Sequence, residues 1–169
     1  GALVMNAGAY GGEMKDVVKK ALVLKEDGEQ IWLSGDELAL GYRTSSIARN
    51  HYIVLEVVLE LKQGDKKAIE SRMQELKEIR TGKQPLEYAS AGSTFKRPEG
   101  YFAGKLIMDA GLRGYRVGDA QVSEKHCGFV INRGEATARN VRELVAHVQQ
   151  EVRQQFGVDL ELEVKLLGF

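Results

Sequence analysis

The sequence predicts an α+β fold, and two changes of hydrophobic period predict it. Through residues 17–62 the apolar residues recur mostly at strand spacing. From 65 to about 80, and again over 137–155, they recur at helical spacing. The first change, between about residues 62 and 84, marks a boundary, with strands before it and a region of helices and short strands after it. At 169 residues the chain can hold one ordinary domain or two small ones with a core of useful size.

The opening Gly1-Ala2-Leu3-Val4-Met5-Asn6-Ala7-Gly8-Ala9-Tyr10-Gly11-Gly12 is rich in glycine and alanine. Such a stretch can lie flat against a cofactor with backbone N–H groups turned to phosphate. It is equally the composition of a tight turn. Its glycines lack the spacing of a dinucleotide fingerprint, and no Gly-Lys-Ser/Thr follows to make a P-loop. Residues 17–33 read as a β-hairpin turning at Asp27-Gly28. Ser34-Gly35-Asp36-Glu37 has the form of a capping box and predicts a helical turn over 36–40, ended by Gly41. Tyr42-Arg43-Thr44-Ser45-Ser46 follows as a polar loop. Residues 52–62 are a strand with Ile53, Leu55, Val57, Leu59 and Leu61 on one face and Glu56 and Glu60 on the other.

The helix over 65–80 carries Ile69, Met73, Leu76 and Ile79 on one side, and Arg80-Thr81-Gly82-Lys83-Gln84-Pro85 ends it. A turn-like stretch, Tyr88-Ala89-Ser90-Ala91-Gly92-Ser93-Thr94-Phe95-Lys96-Arg97-Pro98, comes next. A short helix over 101–110 turns Leu106, Ile107 and Ala110 inward, with Gly111 as its C-terminal glycine. Short strands are predicted at 115–117, 120–122 and 129–132. The last helix starts at Thr137 or Asn140, and Asn140 with Glu143 makes the better capping pair. Its stripe is Val141, Leu144, Val145, Val148 and Val152, and Phe156-Gly157 ends it. Residues 159–167 alternate as a final strand, with Glu161, Glu163 and Lys165 facing solvent.

Composition narrows the function classes. Lys plus Arg and Asp plus Glu both number 24, so the chain lacks the basic excess of a nucleic-acid binder. Cys127 is the only cysteine, which excludes an internal disulfide and fits a reducing, cytoplasmic setting. No apolar run approaches the ~18 residues of a membrane span. His126 and Cys127 are neighbours, but without further ligands they are a structural pair and no metal is expected. No obligate protein partner is evident. The central stretch is the richest in chemistry: small hydroxylated residues (Ser90, Ser93, Thr94) stand beside Lys96 and Arg97, an arrangement suited to an anionic ligand or a developing negative charge.

Three fragments, in this order, carry a resemblance: Met5-Asn6-Ala7-Gly8-Ala9-Tyr10-Gly11, Ser90-Ala91-Gly92-Ser93-Thr94-Phe95-Lys96-Arg97-Pro98, and Leu162-Glu163-Val164-Lys165-Leu166-Leu167-Gly168. Together with Tyr42-Arg43-x-Ser45 and Ser123-Glu124-Lys125-His126-Cys127-Gly128-Phe129, they resemble the UDP-N-acetylenolpyruvoylglucosamine reductase (MurB) family over essentially the whole chain. The resemblance implies that NADPH reduces a bound FAD, and that the reduced flavin gives hydride to the enolpyruvyl double bond of a UDP-sugar. It implies Ser93 as proton donor to the resulting carbanion, with Arg43 and Glu163 stabilising the intermediate and orienting its carboxylate. Gly1, Ala2, Val4, Asn6, Gly8, Ala9 and Gly11 would form part of the flavin wall. Tyr10, Tyr42, Arg80, Lys83, Lys96 and Arg97 would contact substrate, Lys83 and Arg80 at its diphosphate. Arg97 stands where some relatives carry asparagine.

No insertion fits between Arg43 and Lys83, so the resemblance is to the shorter type of the family. It divides the chain into the second lobe of an FAD-binding domain (1–63), a connecting helix and linker (64–84) and a substrate-binding domain (85–169). It also implies an N-terminal flavin-binding lobe before this point, so the chain alone is expected to bind FAD weakly and to be inactive. Two other readings stand beside this one: a nucleotide-sugar-binding module without chemistry, and another flavin oxidoreductase of the related cofactor fold.

Overall fold

The computed structural model describes residues 1–168. The fold is α+β, and the chain divides into two compact units, Gly1–Asp65 and Lys66–Phe169.

The first unit is built on a three-stranded antiparallel sheet of β3 (Val18–Leu24), β4 (Gln30–Ser34) and β5 (Ile53–Leu59), ordered β4-β3-β5. Before it, β1 (Gly8–Ala9) and β2 (Gly12–Glu13) form a minimal hairpin whose turn places both Tyr10 and Gly11 at positive φ, 53° and 86°. That pair of left-handed residues is what a two-residue hairpin needs, because its twist then matches the strands. Ala21 and Val23 of β3 are fully buried, and with Leu3, Leu38 and Ile47 they make the core that this sheet covers.

β5 departs from its expected phase. Leu22 pairs with Glu56 but Val23 pairs with Val54, so Leu55 is an extra residue bulging from the ladder. A bulge reverses the in–out alternation beyond it. Val54 and Val57 therefore pack on the core, while Ile53, Leu55 and Leu59 are exposed. Two further expectations are corrected here. The turn after Ser34 is held by the predicted reciprocal bonds, with the Ser34 N–H donating to Glu37 Oε2 (2.8 Å) and the Glu37 N–H to Ser34 Oγ (3.3 Å). It forms no helix, however, and Ala39 at φ 44° ends it before Gly41 is reached. The loop after it contains a short helix, α1 (Ser46–Arg49), which the sequence reading missed because four residues are too few to show a period.

The second unit packs two helices on one sheet. Its strands β6 (Ala89–Ser93), β7 (Arg116–Val117), β8 (Ala120–Val122) and β9 (Phe129–Asn132) are antiparallel in the order β6-β9-β8-β7. The central Ser/Gly stretch is thus a strand in its first half, its propensity overridden by pairing with β9. Helix α3 (Ala103–Asp109) and helix α4 (Ala138–Phe156) bury Leu106, Ile107, Leu144, Val148 and Val152 against Val122 and Val130. Thr137, not Asn140, caps α4: its hydroxyl accepts the Asn140 N–H, and Asn140 Oδ1 accepts the Thr137 N–H in return. Gly157 ends the helix at φ 69°, a conformation that a side chain would strain.

Helix α2 (Lys66–Lys83) opens this unit and runs straight through Gly82, beyond its expected end. None of its residues is buried; of the predicted stripe, Ile69 and Met73 are exposed and Leu76 and Ile79 half-buried. The expected strand over 159–167 is reduced to a single bridge between Phe95 and Leu162. Among the described residues no helix is long and apolar enough to cross a membrane.

Burial sets the stability expectations. Leu144→Ala should cost about 2–5 kcal/mol, as buried Leu-to-Ala changes do, whereas Ile69→Ala on α2 should stay within about 0.5 kcal/mol. Urea denaturation followed by far-ultraviolet circular dichroism separates the two. Equal losses would show that α2 is not the solvated helix described.

Candidate functional site

The candidate residues of the second unit gather around one threonine. Thr94 is buried, and all its polar backbone and side-chain atoms are engaged. Its N–H donates to the Gly128 carbonyl (2.9 Å), its Oγ1 accepts the Val130 N–H (3.1 Å), and its carbonyl accepts the Glu163 N–H (2.9 Å). Phe95 then bridges Leu162, and the Lys96 N–H donates to the Glu161 carbonyl (2.8 Å). These bonds lay the C-terminal strap alongside residues 94–96. Thr94 faces Glu163 in this register, and Ser93 is the residue before it, at the end of β6. Ser93 itself pairs with Phe129 beyond an irregularity in β6 where Gly92 takes φ 84°. Ser93 is exposed and Glu163 is half-buried.

The neighbouring cations are less free than expected. Lys96 is ion-paired with Glu161 on the strap. Arg97 lies over the Phe102 ring at 4.0 Å and its Nε donates to the Tyr101 carbonyl (3.3 Å). Arg80 and Lys83 stand in the last turn of α2, both exposed, with Arg80 Nε donating to Gln84 Oε1 (3.2 Å). Lys125 holds this turn: its Nζ donates to the Thr81 carbonyl (2.9 Å) and lies 3.7 Å from Glu87. No spacing in the sequence pointed to Lys125, because the contact spans 44 residues.

The first unit carries the remaining candidates. Gly41 and Thr44 form a bridge that closes a tight turn, and Tyr42 and Arg43 sit at its tip. Arg43 is at φ 52° with its guanidinium 5.3 Å from the centre of the Tyr42 ring. Of the opening stretch, Gly1, Ala2, Gly8, Ala9, Tyr10 and Gly11 are exposed, Val4 is half-buried and Asn6 is buried. The N–H groups of Met5, Asn6 and Ala7 are spent on the carbonyls of Gly1, Leu3 and Ala2. These three N–H groups are therefore not turned outward to phosphate. The Asn6 side chain is likewise committed within the protein, to Glu13, Gly41 and Lys15.

Comparison with known proteins matches residues 84–167 to the family model described as UDP-N-acetylenolpyruvoylglucosamine reductase, C-terminal domain. A UDP-N-acetylenolpyruvoylglucosamine reductase of Agathobacter rectalis is 63% identical over 168 residues, covering 99% of this chain and 54% of that protein. One of Lachnoclostridium phytofermentans is 58% identical over the same length, with the same coverage. The crystal structure of UDP-N-acetylenolpyruvylglucosamine reductase (MurB) from Thermus caldophilus superimposes with a TM-score of 0.84 at 42% identity, covering 98% of this chain and 58% of that one. The chain belongs to the MurB family. It spans about half the length of the curated relatives it matches.

The fourth of the five MurB-like motifs along the chain, Ser123 to Phe129, serves the geometry of the Thr94 site. Ser123 Oγ accepts the N–H groups of Lys125 and His126 (both 3.2 Å), and His126 Nδ1 accepts the Gly128 N–H (3.1 Å). The loop so formed presents the Gly128 carbonyl to Thr94. Among the described residues no cluster of three or more His, Cys, Asp or Glu could hold a metal. Cys127 is buried beside His126, and burial pushes its thiol above the ordinary cysteine value, only partly offset by Arg113.

Two outcomes follow from this geometry. Thr94→Val would leave the buried Val130 N–H without an acceptor and should cost about 1–3 kcal/mol, with Thr94→Ser recovering most of it; thermal melts of the three proteins decide. Cys127 should react with a thiol reagent far more slowly in the native protein than after unfolding. The gap should persist at pH 8.5, where an ordinary thiol is about half ionised. Rapid native labelling would contradict its burial.

Proposed function

We propose that this chain is the substrate-handling part of an FAD-dependent, NADPH-using reductase acting in the cytoplasm, in peptidoglycan precursor synthesis. Its substrate is the enolpyruvyl ether of UDP-N-acetylglucosamine and its product UDP-N-acetylmuramate. The observation that carries this reading is the pairing of the strap with residues 94–96, in which the Glu163 N–H bonds the carbonyl of Thr94, the residue after Ser93. The relatives' printed names support the substrate class.

The opening stretch fits a flavin in one respect: Ala2, Gly8, Ala9 and Gly11 present an exposed surface with no side chain larger than methyl. When bound there, FAD would relay electrons from NADPH to the enolpyruvyl double bond. The Ser93 hydroxyl then donates its proton to the substrate carbon that has become carbanionic. A serine is a poor acid in water, but a strongly basic carbon needs only a donor held in place. Glu163 orients the reacting group. Arg43 supplies positive charge to the enolate and its carboxylate, an electrostatic stabilisation whose loss typically costs about 3–4 kcal/mol of barrier. Arg80 and Lys83 serve the diphosphate, and their place in one exposed helical turn suits two cations reaching a single anion. Lys96 and Arg97 reach substrate only by giving up Glu161 and Phe102. The chain alone should hold FAD weakly or not at all, since so slight a wall buries too little of the ligand; a full equivalent of flavin in the visible spectrum of the purified chain would refute this.

Ser93→Ala, made in a reductase of the relatives' full length carrying this sequence, tests the assignment. Stopped-flow absorbance should show flavin reduction by NADPH near its normal rate. Reoxidation by substrate should slow by about 10²–10⁴-fold, the usual weight of general acid catalysis. Ser93→Cys should recover part of the rate. Equal slowing of both half-reactions, or of neither, would leave Ser93 a strand-end residue with no chemical role.

A further inference from the structure

The turn that carries Arg43 is held in place from below by a buried amide. Asn6 is 2% exposed and sits at φ 45°, a left-handed conformation that asparagine tolerates better than most residues. One Nδ2 hydrogen is shared with the Glu13 carboxylate and the other reaches the Gly41 carbonyl at 3.3 Å, while Oδ1 accepts the Lys15 N–H at 2.9 Å. Both donors are therefore spent inside the protein, and Asn6 has none left for a ligand.

Gly41 is the first residue of the turn whose tip is Tyr42-Arg43. The turn is closed by the Gly41 N–H to the Thr44 carbonyl (3.1 Å) and the Thr44 N–H to the Gly41 carbonyl (3.3 Å). A second anchor holds its far end: Ser45, fully buried, donates its hydroxyl to the Val4 carbonyl at 2.7 Å and caps α1 by accepting the Ala48 N–H at 3.1 Å. Both ends of the turn are thus fastened to residues 4–6. Arg43 at φ 52° adopts a backbone that an arginine leaves unless its surroundings prevent it. The two anchors oppose that relaxation.

We propose that Asn6 is a positioning residue for Arg43, fixing through the Gly41 carbonyl the left-handed turn that aims the guanidinium. It is not a cofactor ligand. The role rests on the reading of Arg43 as the cation that stabilises the reduced substrate. The Glu13 carboxylate completes the device: it accepts from Asn6, and Lys15 Nζ at 2.8 Å balances its charge.

The test uses the full-length reductase with Asn6→Gly, which keeps the positive φ available and removes only the side chain. Asn6→Asp, equally at ease in the left-handed region, replaces the donors with a carboxylate that repels Glu13. Hydrogen exchange should quicken at the Thr44 amide in both variants while the Ala21 and Val23 amides of β3 stay protected. Flavin content and the rate of flavin reduction by NADPH should remain within about twofold of the parent. Reoxidation by substrate should slow by about tenfold or more, and Asn6→Gly should add almost nothing in an Arg43→Ala background, because residues acting through one another are non-additive. Independent, multiplying losses in the double variant, loss of flavin, or deprotection spreading into β3 would each overturn the proposal, leaving Asn6 a general structural residue or a flavin ligand. If Asn6→Gly does not fold, Asn6→Asp is put to the same measurements. Should Arg43→Ala leave reoxidation untouched, the reading of Arg43 fails, while exchange at Thr44 still reports whether Asn6 holds the turn.

Discussion

In the larger unit, the hydrogen bonds of Thr94 are the constraint on which the site depends. Its N–H, hydroxyl and carbonyl bind three separate segments: the loop ending at Gly128, strand β9 at Val130, and the strap at Glu163. A buried hydroxyl that lost its partner would be costly, so the three segments share a single register. That register determines which side chains become neighbours. A shift of one residue in the strap would turn Glu163 to the opposite face and bring Leu162 or Val164 in its place. The apolar partners of the same segment, Phe95 and Leu160, sink into the core beneath α3 and α4, so burial and hydrogen bonding enforce the same alignment.

The smaller unit meets a comparable need by different means. Arg43 is carried on a tight turn with left-handed backbone. Such a turn is stable only when its flanks are over-determined. Buried Asn6 and Ser45 supply that from opposite ends, and Leu38 and Ile47, both fully buried, anchor the chain before and after. Both units therefore use buried small polar residues as fasteners beneath candidate site residues.

Several features carried their physics in local pattern and were legible without coordinates. The hairpin at Asp27-Gly28, strands β8 and β9, and helices α3 and α4 all follow from period and turn chemistry. The α4 cap was one pair off, because Thr137 and Asn140 satisfy each other while Glu143 lies a turn further on. Other features depended on partners remote in sequence. The phase of β5 turns on a bulge opposite β3, which no alternation within β5 can show. The strap over 159–167 alternates as a strand should, yet among the described residues its only bridge is the one from Leu162 to Phe95. Helix α2 has a stripe that matches a buried face, yet Ile69 and Met73 of it are exposed and Leu76 and Ile79 only half-buried.

By itself the sequence determined the α+β class, the family, and the residue types available for chemistry, since these reside in composition, period and motif order. Tertiary structure alone decided which of those residues are accessible. It bonded the strap at Glu163 to Thr94, occupied Lys96 with Glu161 and Arg97 with Phe102, and withdrew Asn6 from the surface. The physical reason is that a polar side chain's role depends on whether its hydrogen-bonding capacity is already spent, and the partners that spend it are tens of residues away along the chain.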